Sequence, residues 1–136
     1  MSNKTFTFTL QVRWGDSDRL GHVNNTRFVE YLQEGRVQFL DAVFGGPGKR
    51  GAAVVRTLTT EFLHPILDDS GPLTIDLWIT SVGNTSYGVQ HVVTDREGTV
   101  CARAEALMVA FDLDTSTSRP LEERERALLG EYLVAE

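Results

Sequence analysis

Arg13-Trp14-Gly15-Asp16-Ser17-Asp18-Arg19-Leu20-Gly21-His22-Val23-Asn24-Asn25 runs directly into a long amphipathic segment that ends near Phe44. Two carboxylates, a turn glycine, a histidine and two asparagines thus stand at a helix start. Asn24 or Asn25 is suited to cap it, because a short amide oxygen can accept from the free N–H groups of the first turn. Those N–H groups and the positive end of the helix dipole suit a carbonyl oxygen that gains negative charge. A nearby carboxylate could attack that carbonyl or direct a water at it, so the stretch points to chemistry on an acyl group.

Plotted at about 100° per residue, the helix gathers Phe28, Leu32, Gly35, Phe39, Ala42 and Val43 on one side, with Tyr31 at the margin. Glu30, Glu34 and Asp41 fall opposite. Gly35 sits on the apolar side, where glycine costs roughly 1 kcal/mol against alanine. That cost is explained if another backbone approaches there. Arg36 lies near the same sector and is expected to have a carboxylate partner.

Upstream, Thr5 to Val12 alternates Phe6, Phe8, Leu10 and Val12 with Thr5, Thr7, Thr9 and Gln11, the period of a half-buried strand. Downstream, Gly45-Gly46-Pro47-Gly48 breaks the chain as a loop. Ala53 to Leu63 reads as a second strand, stopped by His64-Pro65, and Asp68 to Pro72 as a turn. Leu73 to Val82, Thr85 to Thr94 and Val100 to Asp112 follow as strands joined at Gly83-Asn84 and Asp95 to Gly98. In the last of these, Ala102, Ala104, Ala106 and Ala110 share a face against which Gly35 is the natural counterpart. Thr115 to Arg119 reads as a polar linker. Pro120 suits the first turn of a final helix, with Leu121, Ala127, Leu128 and Leu133 as its apolar side. The expectation is one α+β domain over residues 1–136, a five-stranded antiparallel sheet packed on one long central helix, plus a short C-terminal helix. Such a sheet leaves open edges and apolar area, so self-association is expected.

The chain has 136 residues, 41% of them hydrophobic, which fits a single core. No apolar run is long enough to cross a bilayer, and Met1 to Leu10 lacks the pattern of a signal peptide. The lone Cys101 cannot form an internal disulfide; it reads as a buried structural thiol and fits a reducing, cytoplasmic setting. A net charge of −6 with no basic tail argues against nucleic acid as a partner. No His or Cys cluster has the spacing of metal ligands.

The Asp16-Ser17-Asp18-Arg19-Leu20-Gly21-His22-Val23-Asn24-Asn25 run resembles the hotdog-fold acyl-CoA thioesterases of the 4-hydroxybenzoyl-CoA thioesterase type. Phe62 to Gly71 is similar to that family's proline-containing turn, and Asn84-Thr85-Ser86 to its β-hairpin serine. The resemblance implies a sheet wrapped around the helix and hydrolysis of acyl-CoA without a metal or redox cofactor. It also implies homodimers that often pair into homotetramers, with active sites at the dimer interface. It makes Asp18 the catalytic carboxylate and places at Asn25 a backbone N–H that polarises the thioester carbonyl. Gly21, His22, Asn24, Asn25, Asn84, Thr85 and Ser86 are the residues it assigns to substrate binding. The chain departs from the pattern in two places: Gly83-Asn84-Thr85 lacks the basic residues often found before the hairpin serine, and Phe28 replaces a common tyrosine.

Residue by residue, Asp16 is expected to fix the turn by accepting backbone N–H bonds. His22 either positions substrate or water, or is a structural histidine bonded to backbone. Tyr31, Trp14 and Trp78 read as core or interface aromatics, and His64 and His91 as isolated. Lys49, Arg50, Arg56, Arg103 and Arg119 are the cations available for CoA phosphates, unranked. The leading function is a cytoplasmic acyl-CoA thioesterase. The alternative is an acyl-CoA or acyl-carrier binding module that keeps the fold without turnover, and a hotdog hydratase or acyl-carrier thioesterase is a third possibility.

Overall fold

A computed structural model describes residues 4–45 and 51–134. Strand β1 (Phe6–Leu10) leads through a 3-10 turn at Trp14–Asp16 into helix α1 (Asn25–Phe44). Strands β2 (Ala53–Phe62), β3 (Leu73–Val82), β4 (Ser86–Thr94), β5 (Val100–Asp112) and β6 (Thr117–Ser118) follow, and helix α2 (Glu123–Gly130) closes the fold. The main sheet runs β1-β3-β4-β5-β2, antiparallel throughout, so β1 and β2 are its edges. The two-residue β6 pairs with the end of β5, inside what the composition suggested was a linker.

Alternation fixes which face of the sheet is buried. Leu73, Ile75, Leu77 and Ile79 of β3 are fully buried, and so are the β5 alanines, beneath one face of α1. Phe28, Tyr31, Leu32, Gly35 and Phe39 of α1 complete this core. The helix begins where Asn24 Oδ1 accepts from Thr26 N at 2.9 Å and ends at Gly45, whose φ of 89° is a left-handed conformation that glycine adopts without a Cβ clash. Gly46 to Gly48, Lys49 and Arg50 lie outside the described residues.

Several expectations are corrected. Gly35 does not meet the alanine face of β5, nor a backbone. A Cβ there would lie 3.4 Å from Ile75 Cγ2 and 3.4 Å from Leu77 Cδ1 of β3. The buried Arg36 has no carboxylate partner among the described residues; its Nη1 stands 3.2 Å from Nε2 of the equally buried His91. The other nitrogen of that ring, Nδ1, lies 2.9 Å from the Ala104 carbonyl and donates to it. With Nδ1 protonated, Nε2 is left to accept from the guanidinium, so the imidazole is neutral. His91 is therefore structural, but not isolated. Ala42 is exposed, and Phe44 is buried in its place. Trp14 is 85% exposed, which removes the core half of its core-or-interface reading and does not test the other half. Pro120 precedes α2, which is capped by Glu122, and Leu129 rather than Ala127 is its buried apolar residue. Glu125 in its first turn is buried and takes both ends of the Arg119 guanidinium, at 2.7 and 2.8 Å. No helix among the described residues is long and apolar enough to cross a membrane.

Candidate active site

The loop before α1 is laced to the segment after β2. Ser17 and Val23 bridge across the loop, His22 bridges to Leu67, and Val23 N donates to the Ile66 carbonyl at 2.7 Å. Ser17 Oγ donates to the Asp68 carboxylate. Beneath the loop, Asp16 is buried and accepts from Tyr31 Oη at 2.6 Å and from Arg13 N and Nε at 3.2 Å. Burial pushes the Asp16 carboxyl up, but the bonds from Tyr31 and Arg13 outweigh it and hold the group below the usual carboxylate range. Asp16 therefore anchors the loop to the helix, as a structural carboxylate.

Asp18 differs in both exposure and partners. Its Oδ1 accepts from Leu20 N at 2.8 Å and His22 N at 3.4 Å, the Asx turn that the sequence reading gave to Asp16. The backbone closes the same turn, Asp18 N donating to His22 O at 2.8 Å and Gly21 N to Asp18 O at 3.1 Å. Gly21 has a φ of 78°, which the turn requires. Among the described residues nothing donates to Asp18 Oδ2. The carboxylate is thus held by one oxygen and free at the other.

Asp18, His22 and Asn25 line one pocket of about 270 Å³, with Phe28 as its apolar wall. Asn24 Oδ1 takes the Thr26 N–H, and the Asn24 carbonyl accepts from Arg27 N and Phe28 N. The Asn25 N–H, first in the helix, donates to no described residue. The residue that carries this free donor, at a positive helix end, thus borders the same pocket as a tethered carboxylate. That pairing suits attack on a carbonyl whose oxygen takes up negative charge. The groove of about 450 Å³ on the outer sheet face lacks it, and so does the one of about 720 Å³ between β1 and α1.

The pocket's other wall was not read from the sequence as part of a site. Phe62, Leu63, His64 and Pro65 line it, with the Phe62 ring edge-on to Phe28 at 5.2 Å between centroids. His64 is held by its backbone, N to Cys101 O at 3.1 Å, so its exposed side chain is left to the pocket. The turn similarity over Phe62 to Gly71 was the available signal.

Asn84, Thr85 and Ser86 are not brought to Asp18 within one chain. Their hairpin is tied to the other end of the sheet, Ala110 N donating to Thr85 O and Leu121 N to Asn84 O, each at 2.8 Å. Along β5, Val109 opposite Ser86 and Cys101 opposite Leu63 are roughly 27 Å apart at the usual strand rise. Of the candidate cations, Arg119 is committed to Glu125, while Arg56 and Arg103 are exposed on β2 and β5. Among the described residues no group of His, Cys, Asp and Glu could hold a metal ion.

Comparison with known proteins gives a consistent result. The model of the Thioesterase-like superfamily matches residues 12–129. The acyl-CoA thioester hydrolase YbgC of Escherichia coli O6:H1 is 31% identical over 144 aligned positions, covering 100% of this chain and 98% of that protein. A predicted thioesterase from Bacillus stearothermophilus superposes with a TM-score of 0.88 at 24% identity, covering 98% of this chain and 99% of the other. A thioesterase from Thermus thermophilus, solved with coenzyme A and Zn, superposes with a TM-score of 0.82 at 26% identity, covering 90% of this chain and 95% of the other.

Proposed function

The chain belongs to the Thioesterase-like superfamily, and on that premise we propose that it hydrolyses acyl-CoA thioesters to a free acid and CoA. Asp18 acts as nucleophile or as general base for a water, and the Asn25 N–H polarises the thioester carbonyl. The observation that carries this reading is the half-tethered Asp18 carboxylate in one pocket with a helix-start N–H that has no partner among the described residues. A module that only binds needs no ionised carboxylate at that point. The similar Thermus protein was solved with coenzyme A, which supports the leaving group. Gly21 shapes the turn, Asn24 caps the helix, and His22 borders the reacting carbon.

The working unit is a homodimer or a pair of dimers, with Asn84, Thr85 and Ser86 of one subunit completing the site of another. Two features support this. The hairpin lies too far from Asp18 in its own chain, and β2 offers a ten-residue free edge with Val54 and Val55 each 42% exposed. We read the setting as cytoplasmic, in keeping with the free, buried Cys101.

Release of free thiol from a panel of acyl-CoAs tests the activity directly. Turnover of at least one member is expected, and tight binding without release would favour the binding-module alternative. Sedimentation at micromolar concentration tests the assembly: a dimer or larger is expected, and a monomer would remove the shared site.

A further inference from the structure

We propose that His64 is the proton donor to the departing sulfur, an inference that rests on the acyl-thioester reading of the same pocket and on direct attack by Asp18. If Asp18 attacks the thioester carbon, the tetrahedral intermediate can expel either the carboxylate it has just gained or the thiolate. An ordinary carboxylic acid has a pKa of about 4 and an alkyl thiol such as cysteine about 8.5. The carboxylate is therefore the far better leaving group, and the intermediate collapses back to substrate unless the sulfur is protonated as it leaves. A nucleophilic aspartate thus calls for an acid beside the sulfur.

The pocket wall offers an imidazole for this role. His64 lines the Asp18 pocket and also a neighbouring polar pocket of about 220 Å³, bordered by Ser70, Arg96 and Thr99. An acyl group packed on Phe28 and Phe62 would leave the polar pantetheine arm of CoA on the far side of this wall. The sulfur that joins them then passes His64. Asp18 and His22 line the acyl pocket together with His64, and Asp69, Asp95, Arg96 and Glu97 line the polar one with it. His22 is the less suited donor, because it belongs to the Asp18 turn itself and its backbone already serves that carboxylate.

The steps balance. Asp18 Oδ2 bonds to the carbonyl carbon, and the C=O pair moves onto the oxygen facing the Asn25 N–H. The pair returns, the C–S bond breaks, and the sulfur keeps its electrons and takes the proton from the His64 imidazolium. This leaves CoA thiol, a mixed anhydride on Asp18, and neutral His64. His64 then removes a proton from water as the water attacks the acyl carbon of the anhydride. Free acid leaves, and the carboxylate and imidazolium are restored.

The test varies the leaving group. One acyl group is presented as the alkyl thioester of N-acetylcysteamine and as an aryl thioester, whose far more acidic thiol needs no proton to depart. His64→Gln should lower kcat/KM on the alkyl ester by about 10²-fold, the low end for a positioned acid, and on the aryl ester by less than about threefold. The His64 side chain is exposed and makes no hydrogen bond among the described residues, so the variant should fold, as circular dichroism would verify. Equal losses on both esters, or a leaving-group effect in His22→Gln instead, would overturn the assignment while leaving the thioesterase reading intact. If wild-type protein cleaves neither ester nor any acyl-CoA, both fall together. Asp18→Asn, which should lose both esters alike, separates the attacking residue from the proton donor.

Discussion

His91 gives the stability of this fold a pH dependence that can be worked from its surroundings. Burial disfavours the imidazolium and the Arg36 charge opposes it, while the bond to the Ala104 carbonyl offsets them only in part, so the group is pushed down to about 4 from 6.5. Between those values the unfolded chain holds a proton that the native protein lacks. Stability from this residue is therefore complete above about pH 6.5, and falls as pH drops toward 4. Between pH 7.5 and pH 5 the loss comes to about 2 kcal/mol. The assay is urea unfolding at fixed protein concentration, at both pH values, for the wild type and for His91→Gln, whose amide can still accept from Arg36 and donate to Ala104. Every other ionisable group is common to both proteins, and its contribution cancels in the comparison. The wild type should lose about 2 kcal/mol more than the variant between the two pH values. Equal losses would show that His91 is protonated as readily in the fold as out of it, and would refute a neutral His91 imidazole beside the Arg36 guanidinium.

Two further substitutions probe the packing. Gly35→Leu should destabilise by about 1–3 kcal/mol through overpacking against Ile75 and Leu77, already at van der Waals distance; denaturant midpoints equal to wild type would show that the helix can move away freely. Arg119→Met should cost about 3–5 kcal/mol, because it strands the buried Glu125 carboxylate, and adding Glu125→Gln should recover part of that loss in the same titration.

Periodicity carried much of the fold. The strict alternation of Leu73, Ile75, Leu77 and Ile79 gave both bounds of β3, and the small residues after Val100 gave those of β5. The start of α1 was legible because asparagine caps by a local bond that sequence spacing alone specifies. Partners across the core were not legible in that way. Helical angle put Gly35 on the inner face, but it could not say that β3 rather than β5 lies opposite, since strand order is a long-range property. The same holds for Arg36, where charge suggested a carboxylate and the fold supplied a histidine from β4. Pro120 suits a first turn by its own preference, whereas the Glu122–Glu125 capping box, with Glu125 also held by Arg119, sets the start of α2 further on. At the site, the Asp18 loop stood out because its chemistry is contiguous in the chain. His64 did not, because it reaches the pocket only through the bridges between His22, Val23 and the segment after β2.

The central claim is that Asp18 carries the chemistry, and thioester turnover by pure Asp18→Asn measures it most directly. The amide keeps an oxygen for the Leu20 and His22 N–H groups but can serve neither as nucleophile nor as base. With circular dichroism and acyl-CoA binding close to wild type, kcat should fall by about 10²–10⁴-fold, and Asp16→Asn should lose less turnover. Near-normal kcat in Asp18→Asn, with deamidation excluded by mass spectrometry, would contradict the account and move the chemistry to another residue.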